Sequence, residues 1–475
     1  MNLWLFLPEF LVAGLAFLIL GTDLVLPPAR KSLLAYGGAL GLGGIMAATL
    51  TLQGEEARLY GGLFLVDGYA LFFKEFFLLL GILILLASVE FVEKNLSHAG
   101  EYYGLILFSV LAMMLMTASG ELLTAYISLE LLSFCLYILA SYGLHDPRSN
   151  EAGVKFILLG AFSSAILLYG LSLVYGLAGT TEFVAIAGVL GSGEDLGPGL
   201  LVGLVLVIAG FGFKVAAVPF HMWAPDVYEG APLPITAYLS VASKAAAFAL
   251  LLRLFAVAFM PAMDEWRGIM AGLAAVTMTV GNLVAIPQRN IKRLLAYSSI
   301  GQAGYLLVGL AALSPMASSG MVFHLAGFAV TNLAAFVAII AYYNLSGKED
   351  IPDYAGLAER SPLLATTLAV AFFSLAGLPF FAGFTTKFYL FAAAAREGLL
   401  WLVALAMVNS LISLYYYLLV IKQMYMVPPS EPGRLRVPGL LKGILVLLLF
   451  GIVIIGIYPA PLLEAIDGAT RFLFP

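Results

Sequence analysis

Apolar runs long enough to cross a bilayer recur along the whole of this chain, and this recurrence constrains the fold more than anything else. A helix needs about 20 consecutive apolar residues to span the hydrocarbon core. Fourteen such runs are read, at roughly 3–26, 33–52, 69–92, 103–119, 122–143, 153–178, 199–224, 232–259, 267–286, 294–313, 319–345, 362–396, 399–427 and 439–459. The connections between them are short. The longest, 179–198, is glycine-rich and carries Glu182, Glu194 and Asp195. No soluble domain fits between spans. Charged residues make up 11% of the chain, against about 25% in a soluble domain. The expected fold class is an all-α polytopic membrane protein. The first run has no basic residues ahead of it, so it reads as a span and not as a cleaved signal.

Several functions are excluded by residue type. One cysteine, Cys135, rules out internal disulfides, cysteine-held iron–sulfur clusters and cysteine-rich zinc sites. Four scattered histidines form no metal cluster. No glycine-rich phosphate loop stands where a nucleotide fold could form. Metal and cofactor sites are therefore expected to be absent from this chain, and no nucleic-acid partner is expected.

Basic residues set the orientation, because cytoplasmic loops carry the Lys/Arg excess. Thirteen fall on the side reached after the first span: Arg30, Lys31, Lys94, Arg148, Arg289, Lys292, Arg293, Lys348, Arg360, Lys422, Arg434, Arg436 and Lys442. Four fall on the other: Arg58, Arg267, Arg396 and Arg471. The first side is expected to be cytoplasmic, with both termini on the outer side.

Six basic residues remain inside spans: Lys74, Lys155, Lys214, Lys244, Arg253 and Lys387. A lysine at the bilayer centre costs about 2.5–3.5 kcal/mol on insertion scales. Lys74, Lys155 and Arg253 lie near span ends, where snorkelling to the interface explains them. Lys214, Lys244 and Lys387 lie deeper and need another reason. Two of them flank helix breaks. The seventh span is broken at Pro219, ahead of a short polar turn with Asp226 and Glu229. The twelfth is broken at Gly377-Leu378-Pro379. Interrupted spans in corresponding positions of two halves point to an ion or substrate site. Spans 4–8 and 9–13 hold five helices each, so a repeat between them would be inverted. The expected organisation is residues 1–102 for three N-terminal helices, 103–259 and 267–427 for the two repeats, and 428–475 for a last helix and tail.

Glu130 is the one acidic residue deep in the fifth span. A carboxylate and a lysine stabilise each other's charge when they face each other at depth. Glu130 and Lys214 are expected to form such a pair, which releases a proton from Lys214 when it opens. Lys244, His324 and Lys387 can extend a proton path, since histidine titrates near neutrality and exchanges protons through either ring nitrogen. Ser298, Ser299, Gln302, Tyr305 and Asn332 would order water between them. His221, after the break, is either a relay or a cap. Lys155 is either an anchor or a proton entrance. Loop carboxylates are expected to be solvated. The second half has no deep carboxylate like Glu130, so the halves would not work identically.

The segments FGFKVAAVPFHMWAPDVYEGAP, Ser243-Lys244, NIKRLLAYSSIGQAGY at 290–305 and GFTTKFYLF at 383–391 resemble the antiporter-like membrane subunits of respiratory complex I. The resemblance covers nearly the whole chain. It implies two inverted five-helix repeats, each with a half-channel, on a hydrated central axis. It also implies proton pumping driven by quinone reduction in other subunits, with Glu130 and Lys214 as coupling pair, Lys244 as central relay and Lys387 as distal lysine. His324 has no counterpart assigned by it. FMN, iron–sulfur clusters and quinone would belong to partner subunits. The implied neighbours are a sister subunit, M, and small membrane subunits K and J, within the lipid bilayer. Subunit M typically has glutamate where this chain has Lys387, and subunit L carries a long C-terminal lateral helix. A third sister is therefore favoured. The alternative function is a cation/proton antiporter subunit of the Mrp type.

Overall fold

The computed structural model describes residues 3–192, 197–429 and 433–474. Its helices in chain order are α1 (Leu7–Asp23), α2 (Ser32–Leu50), α3 (Gly68–Asn95), α4 (Ala99–Ala118), α5 (Leu122–Ala140), α6 (Pro147–Ala178), α7 (Phe183–Leu190), α8 (Pro198–Lys214), α9 (Trp223–Gly230) and α10 (Leu233–Tyr238). They continue with α11 (Lys244–Val257), α12 (Met263–Ala285), α13 (Ile291–Ala311), α14 (Pro315–Ser346), α15 (Leu357–Arg360), α16 (Pro362–Ala376), α17 (Ala382–Arg396), α18 (Leu400–Met426), α19 (Gly439–Ile457) and α20 (Ala460–Thr470). One small antiparallel hairpin, β1 (Ala57–Leu59) with β2 (Phe64–Val66), precedes α3.

Among the described residues, twelve helical segments are long and apolar enough to cross a membrane, and each falls on an expected span. The chain is a multi-pass membrane protein. The seventh and twelfth expected spans instead appear as the shorter apolar helices α8 and α16, each followed by a break. Polar side chains start the helices where a terminus leaves N–H groups unpaired. Asp67 caps α3 through the Ala70 N–H, Asp146 caps α6, Asn290 caps α13 and Ser314 caps α14. Gly179 and Gly347 end α6 and α14 at φ of 67° and 69°, a left-handed turn that glycine takes without steric cost.

The chain divides into two compact units. The first comprises residues 1–215, 242–269 and 466–475. Within it α6 and α8 lie against each other through Gly170, Gly203 and Gly210. A Cβ on Gly210 would meet both the backbone and the side chain of Leu167. That close approach lets Ser163 Oγ donate to the Gly210 carbonyl at 3.1 Å. The second unit comprises residues 216–241 and 270–465. Here α14 packs on α16, α17 and α19, α16 on α18, and α9 on α13.

The structure corrects several expectations. The seventh span stops at Lys214, five residues before Pro219, because Ala216 takes a left-handed φ of 59° and the chain turns there. The polar turn carrying Asp226 and Glu229 is the short helix α9. Those two carboxylates are not free in solvent: both accept from Arg293 Nη1, at 2.9 and 2.7 Å. The long connection contains α7, whose Phe183 and Ile186 are buried; Glu194 and Asp195 lie outside the described residues.

Lys74 and Arg253 do not snorkel. Lys74 is fully buried and pairs with the equally buried Glu9 of α1 at 2.7 Å. Arg253 is buried and holds both oxygens of Asp67 at 2.7 Å, with its guanidinium 4.8 Å from the Tyr69 ring centroid. A buried charge is tolerated when a partner is within reach, and both residues have one. A run-length reading has no sight of partners on other helices.

Candidate functional site

In the first unit Glu130 stands on α5 with Ser133 one turn further along, so both point the same way. Lys214 is the last residue of α8, where the helix dipole and the closing carbonyls favour a cation. Its Nζ donates to Glu130 Oε1 at 3.3 Å, to Ser133 Oγ at 2.8 Å and to Ser164 Oγ of α6 at 3.1 Å. Ser164 Oγ in turn donates to the same Glu130 oxygen at 2.6 Å. The expected pair is therefore brought together, with a hydroxyl bridging its two charges. Ser133 and Ser164 were missed by sequence reasoning. Ser133 was findable from its three-residue offset from Glu130. Ser164, on a different helix, carried no local signal.

Lys244 is buried at the start of α11, directly after a turn of π-helix, Leu239–Ser243. Such wide turns free backbone groups and cluster at functional sites. Lys155 sits on the exposed face of α6 and pairs with Glu151 at 2.8 Å, a helix-surface pair. His221 lies in the turn between α8 and α9, half-buried, with Nδ1 buried and without a hydrogen bond among the described residues. Its carbonyl accepts from the Ala224 N–H, so the backbone, not the ring, closes that turn. Pro219 follows a cis peptide in the same turn.

In the second unit Gly377 ends α16 at φ 87°, and Pro379 follows it within the break. A helix end leaves its last carbonyls unpaired, and here they form a seat. Lys387, buried on α17, donates to the Leu375 carbonyl at 2.7 Å and to Ser410 Oγ of α18 at 3.1 Å. Ser410 donates to the Ala376 carbonyl at 2.8 Å. Gln302 Nε2 of α13 reaches the same Leu375 carbonyl at 3.2 Å. Gln302 Oε1 lies 3.2 Å from His324 Nε2, and His324 Nδ1 lies 3.0 Å from Thr386 Oγ1. The groups run without a gap: His324, Gln302, the Leu375 carbonyl, Lys387.

His324 can carry its proton in either state within this arrangement. Neutral, its Nε2–H donates to Gln302 and Nδ1 accepts from Thr386. Charged, Nδ1–H donates to Thr386 Oγ1, whose own proton reaches the Ala382 carbonyl at 2.9 Å. The Lys387 ammonium also lies 4.6 Å from the Tyr305 ring centroid. Tyr305 OH accepts from Asn282, which accepts from Tyr416. Ser298 bonds Tyr417, and Asn332 donates to Ser240 at 2.8 Å. Several groups expected to order water thus bond directly.

The two lysines differ in sequence offset from their breaks but share a physical setting. Lys214 stands in the last turn of the first half-helix. Lys387 reaches back from the second half-helix to the last turn of the first. The Lys387 ammonium sits on a carbonyl of the broken helix end, whereas the Lys214 ammonium is met by the side chains of Glu130, Ser133 and Ser164.

No group of three or more His, Cys, Asp or Glu able to hold a metal occurs among the described residues. The single cysteine is buried and unbridged. This donor set fits neither an iron–sulfur cluster nor a metal centre.

Lysines set at broken, apolar helices define the class of antiporter-like membrane subunits, and comparison with known proteins agrees. Residues 119–413 match the family described as NADH:quinone oxidoreductase/Mrp antiporter, TM. The chain is 46% identical, over 100% of both chains, to NADH-quinone oxidoreductase subunit N of Moorella thermoacetica. A chain of respiratory complex I from Thermus thermophilus with bound aureothin superposes with a TM-score of 0.81 at 32% identity, covering 97% of this chain and 99% of that one. A chain of the Mrp complex from Dietzia sp. shares the fold at 22% identity, with a TM-score of 0.86 over 100% of this chain and 98% of that one. The chain belongs to the NADH:quinone oxidoreductase/Mrp antiporter membrane-subunit family, in its subunit N line.

Proposed function

We propose that this chain is the proton-translocating subunit N of an NADH–quinone oxidoreductase and moves protons through its buried lysines while redox chemistry proceeds in other subunits. The observation that carries this reading is the pair of built lysine seats. Lys214 is held by Glu130, Ser133 and Ser164. Lys387 is linked through the Leu375 carbonyl and Gln302 to His324. In the first seat, closure of the Glu130–Lys214 pair holds a proton on the lysine, and opening lets it go. In the second, His324 and Lys387 exchange a proton through water between them, while Gln302 holds the His324 ring and the Leu375 carbonyl in position. Lys244 stands between these roles as the central relay.

Nothing in either seat can drive transport, so the energy enters from partner subunits that carry FMN, iron–sulfur clusters and quinone. The proposed neighbours are antiporter-like subunit M and small subunits K and J. The proposed setting is a bacterial inner membrane with both termini outside, on the basic-residue bias. The two five-helix stretches, 103–259 and 267–427, are proposed as inverted repeats. The Mrp-type alternative rests on a likeness of fold, while the relatives at higher identity are oxidoreductase subunits.

Lys214→Ala is the test. The complex should assemble, with electron transfer to quinone and proton pumping both lowered. An assembled variant with the normal proton-to-electron ratio and turnover would overturn the reading.

A further inference from the structure

Beside Lys387 the second unit opens a cavity of about 420 Å³ between the end of α16 and helices α17 and α18. Its volume falls within the roughly 300–1,000 Å³ of small-molecule sites, which are mostly apolar with a few placed polar groups. The wall is apolar, with Phe384, Phe391, Ala392 and Leu414 among its residues, and the polar side chains lining it are Lys387 and Ser410. Three wall residues also face outward: Phe388, Met407 and Leu411 are 67%, 59% and 70% exposed. On a membrane-spanning chain such a mouth opens sideways, toward acyl chains.

The floor has a charge mismatch. Lys387 is 4% exposed, and its ammonium is met by a carbonyl, a hydroxyl and an aromatic ring, all neutral. Among the described residues no carboxylate pairs with it. In the other seat Lys214 has Glu130. Burying a cation without an anion is costly, and this cavity, which Lys387 lines, is a route by which an anion can reach it. Each feature selects part of a ligand: the ammonium selects an anionic head, the apolar wall a hydrocarbon tail, and the lateral mouth a molecule dissolved in the bilayer.

We propose that this cavity binds a long-chain carboxylate from the membrane, with its head on Lys387 and Ser410 and its tail along α17 and α18. Binding requires only the seat. The consequence for turnover rests on Lys387 acting in the proton path: a bound carboxylate holds the ammonium charged and stops it passing a proton on.

The test uses the intact purified complex and a hexadecanoic acid carrying a mid-chain diazirine, compared with its methyl ester. Labelling by the acid should fall on peptides covering 384–395 and 403–414, and unlabelled hexadecanoate should displace it. Ala392→Phe fills the wall without touching Lys387. It should leave turnover unchanged and cut labelling by about tenfold, equivalent to about 1.4 kcal/mol of binding. Leu411→Trp serves if that variant fails to assemble. In proteoliposomes, hexadecanoate should slow coupled turnover of the parent and spare the filled variant. Equal labelling by acid and ester would mean that an acyl chain alone is accommodated, and would overturn the proposal. So would absent labelling in the intact complex, which would mean that a neighbouring subunit covers the mouth. Head-dependent labelling with no effect on turnover would keep the site and count against Lys387 as a relay.

Discussion

Lys387 donates to the backbone carbonyl of Leu375 at 2.7 Å, a group left without a helical partner because the residue four positions on is Pro379, which has no N–H to donate. The break at Gly377-Leu378-Pro379 thus supplies the acceptor that holds the lysine. Gln302 uses the same carbonyl and also meets His324, so it links the surroundings of Lys387 to His324. Gln302→Leu keeps the bulk and removes both hydrogen bonds. Loss of a hydrogen bond to a buried partner is worth about 1–3 kcal/mol. Coupled turnover should fall by about tenfold with assembly intact, since each 1.36 kcal/mol is tenfold in rate. Turnover and proton pumping in proteoliposomes check this. Unchanged rates would remove Gln302 from the path.

The first seat makes a different claim. Ser164 donates to Glu130 and accepts from Lys214, so it couples the two charges instead of merely touching them. Ser164→Ala should therefore be non-additive with Glu130→Gln. Residues in one hydrogen-bond network show coupling of about 0.5–3 kcal/mol. The measurement is coupled turnover for both single variants and the double. Additive losses would mean that Ser164 is packing and not part of the switch.

Much of this arrangement was legible in the chain. Length and hydropathy located the spans, because bilayer thickness fixes helix length. Depth within a span marked Glu130, Lys214, Lys244 and Lys387, because charge there needs a reason. What stayed hidden depends on contacts between helices. Periodicity along α6 says nothing about whether Ser164 meets Lys214. The Leu375 carbonyl has no side-chain signature at all. Lys74 and Arg253 looked like interface anchors because Glu9 and Asp67 lie far away in sequence. Pro219 looked like the break within the seventh span, yet the helix ends at Lys214 and the chain turns at Ala216, a residue with no propensity to announce it.

Gly383 sets the geometry of the second break. A Cβ there would run into the Ser374 carbonyl, and its own N–H takes Ser374 Oγ at 2.9 Å. The obstacle is backbone, which cannot rotate aside as a side chain can. Gly383→Ala should move α17 away from α16 and pull Lys387 off its carbonyl seat, with an overpacking cost of about 1–3 kcal/mol. The expected outcome is poor assembly of the complex on native gels. Any assembled fraction should have turnover below the parent. Normal assembly and turnover would mean that the two half-helices are not held as close as described.

Asp67 and Arg253 supply a pH-dependent prediction outside the proton path. Burial alone would push the Asp67 carboxyl up, but the Arg253 charge and its two hydrogen bonds outweigh burial and hold it below the ordinary carboxylate value of 3.8. A depressed carboxyl stabilises the folded state at all pH values above its unfolded pKa, and that contribution is lost as pH falls through the lower folded value. Between pH 5 and 8, a window set by an unfolded value of about 4, the pair should contribute fully and evenly. Asp67→Asn leaves Arg253 buried without its anion, and breaking a buried pair costs about 3–5 kcal/mol. Thermal inactivation of the intact complex should therefore come at lower temperature in the variant by the same margin at pH 6 and pH 8. The margin should narrow only in acid, as the parent's own carboxyl takes up its proton. A deficit that grew or shrank across pH 6 to 8 would show that a different group is being titrated.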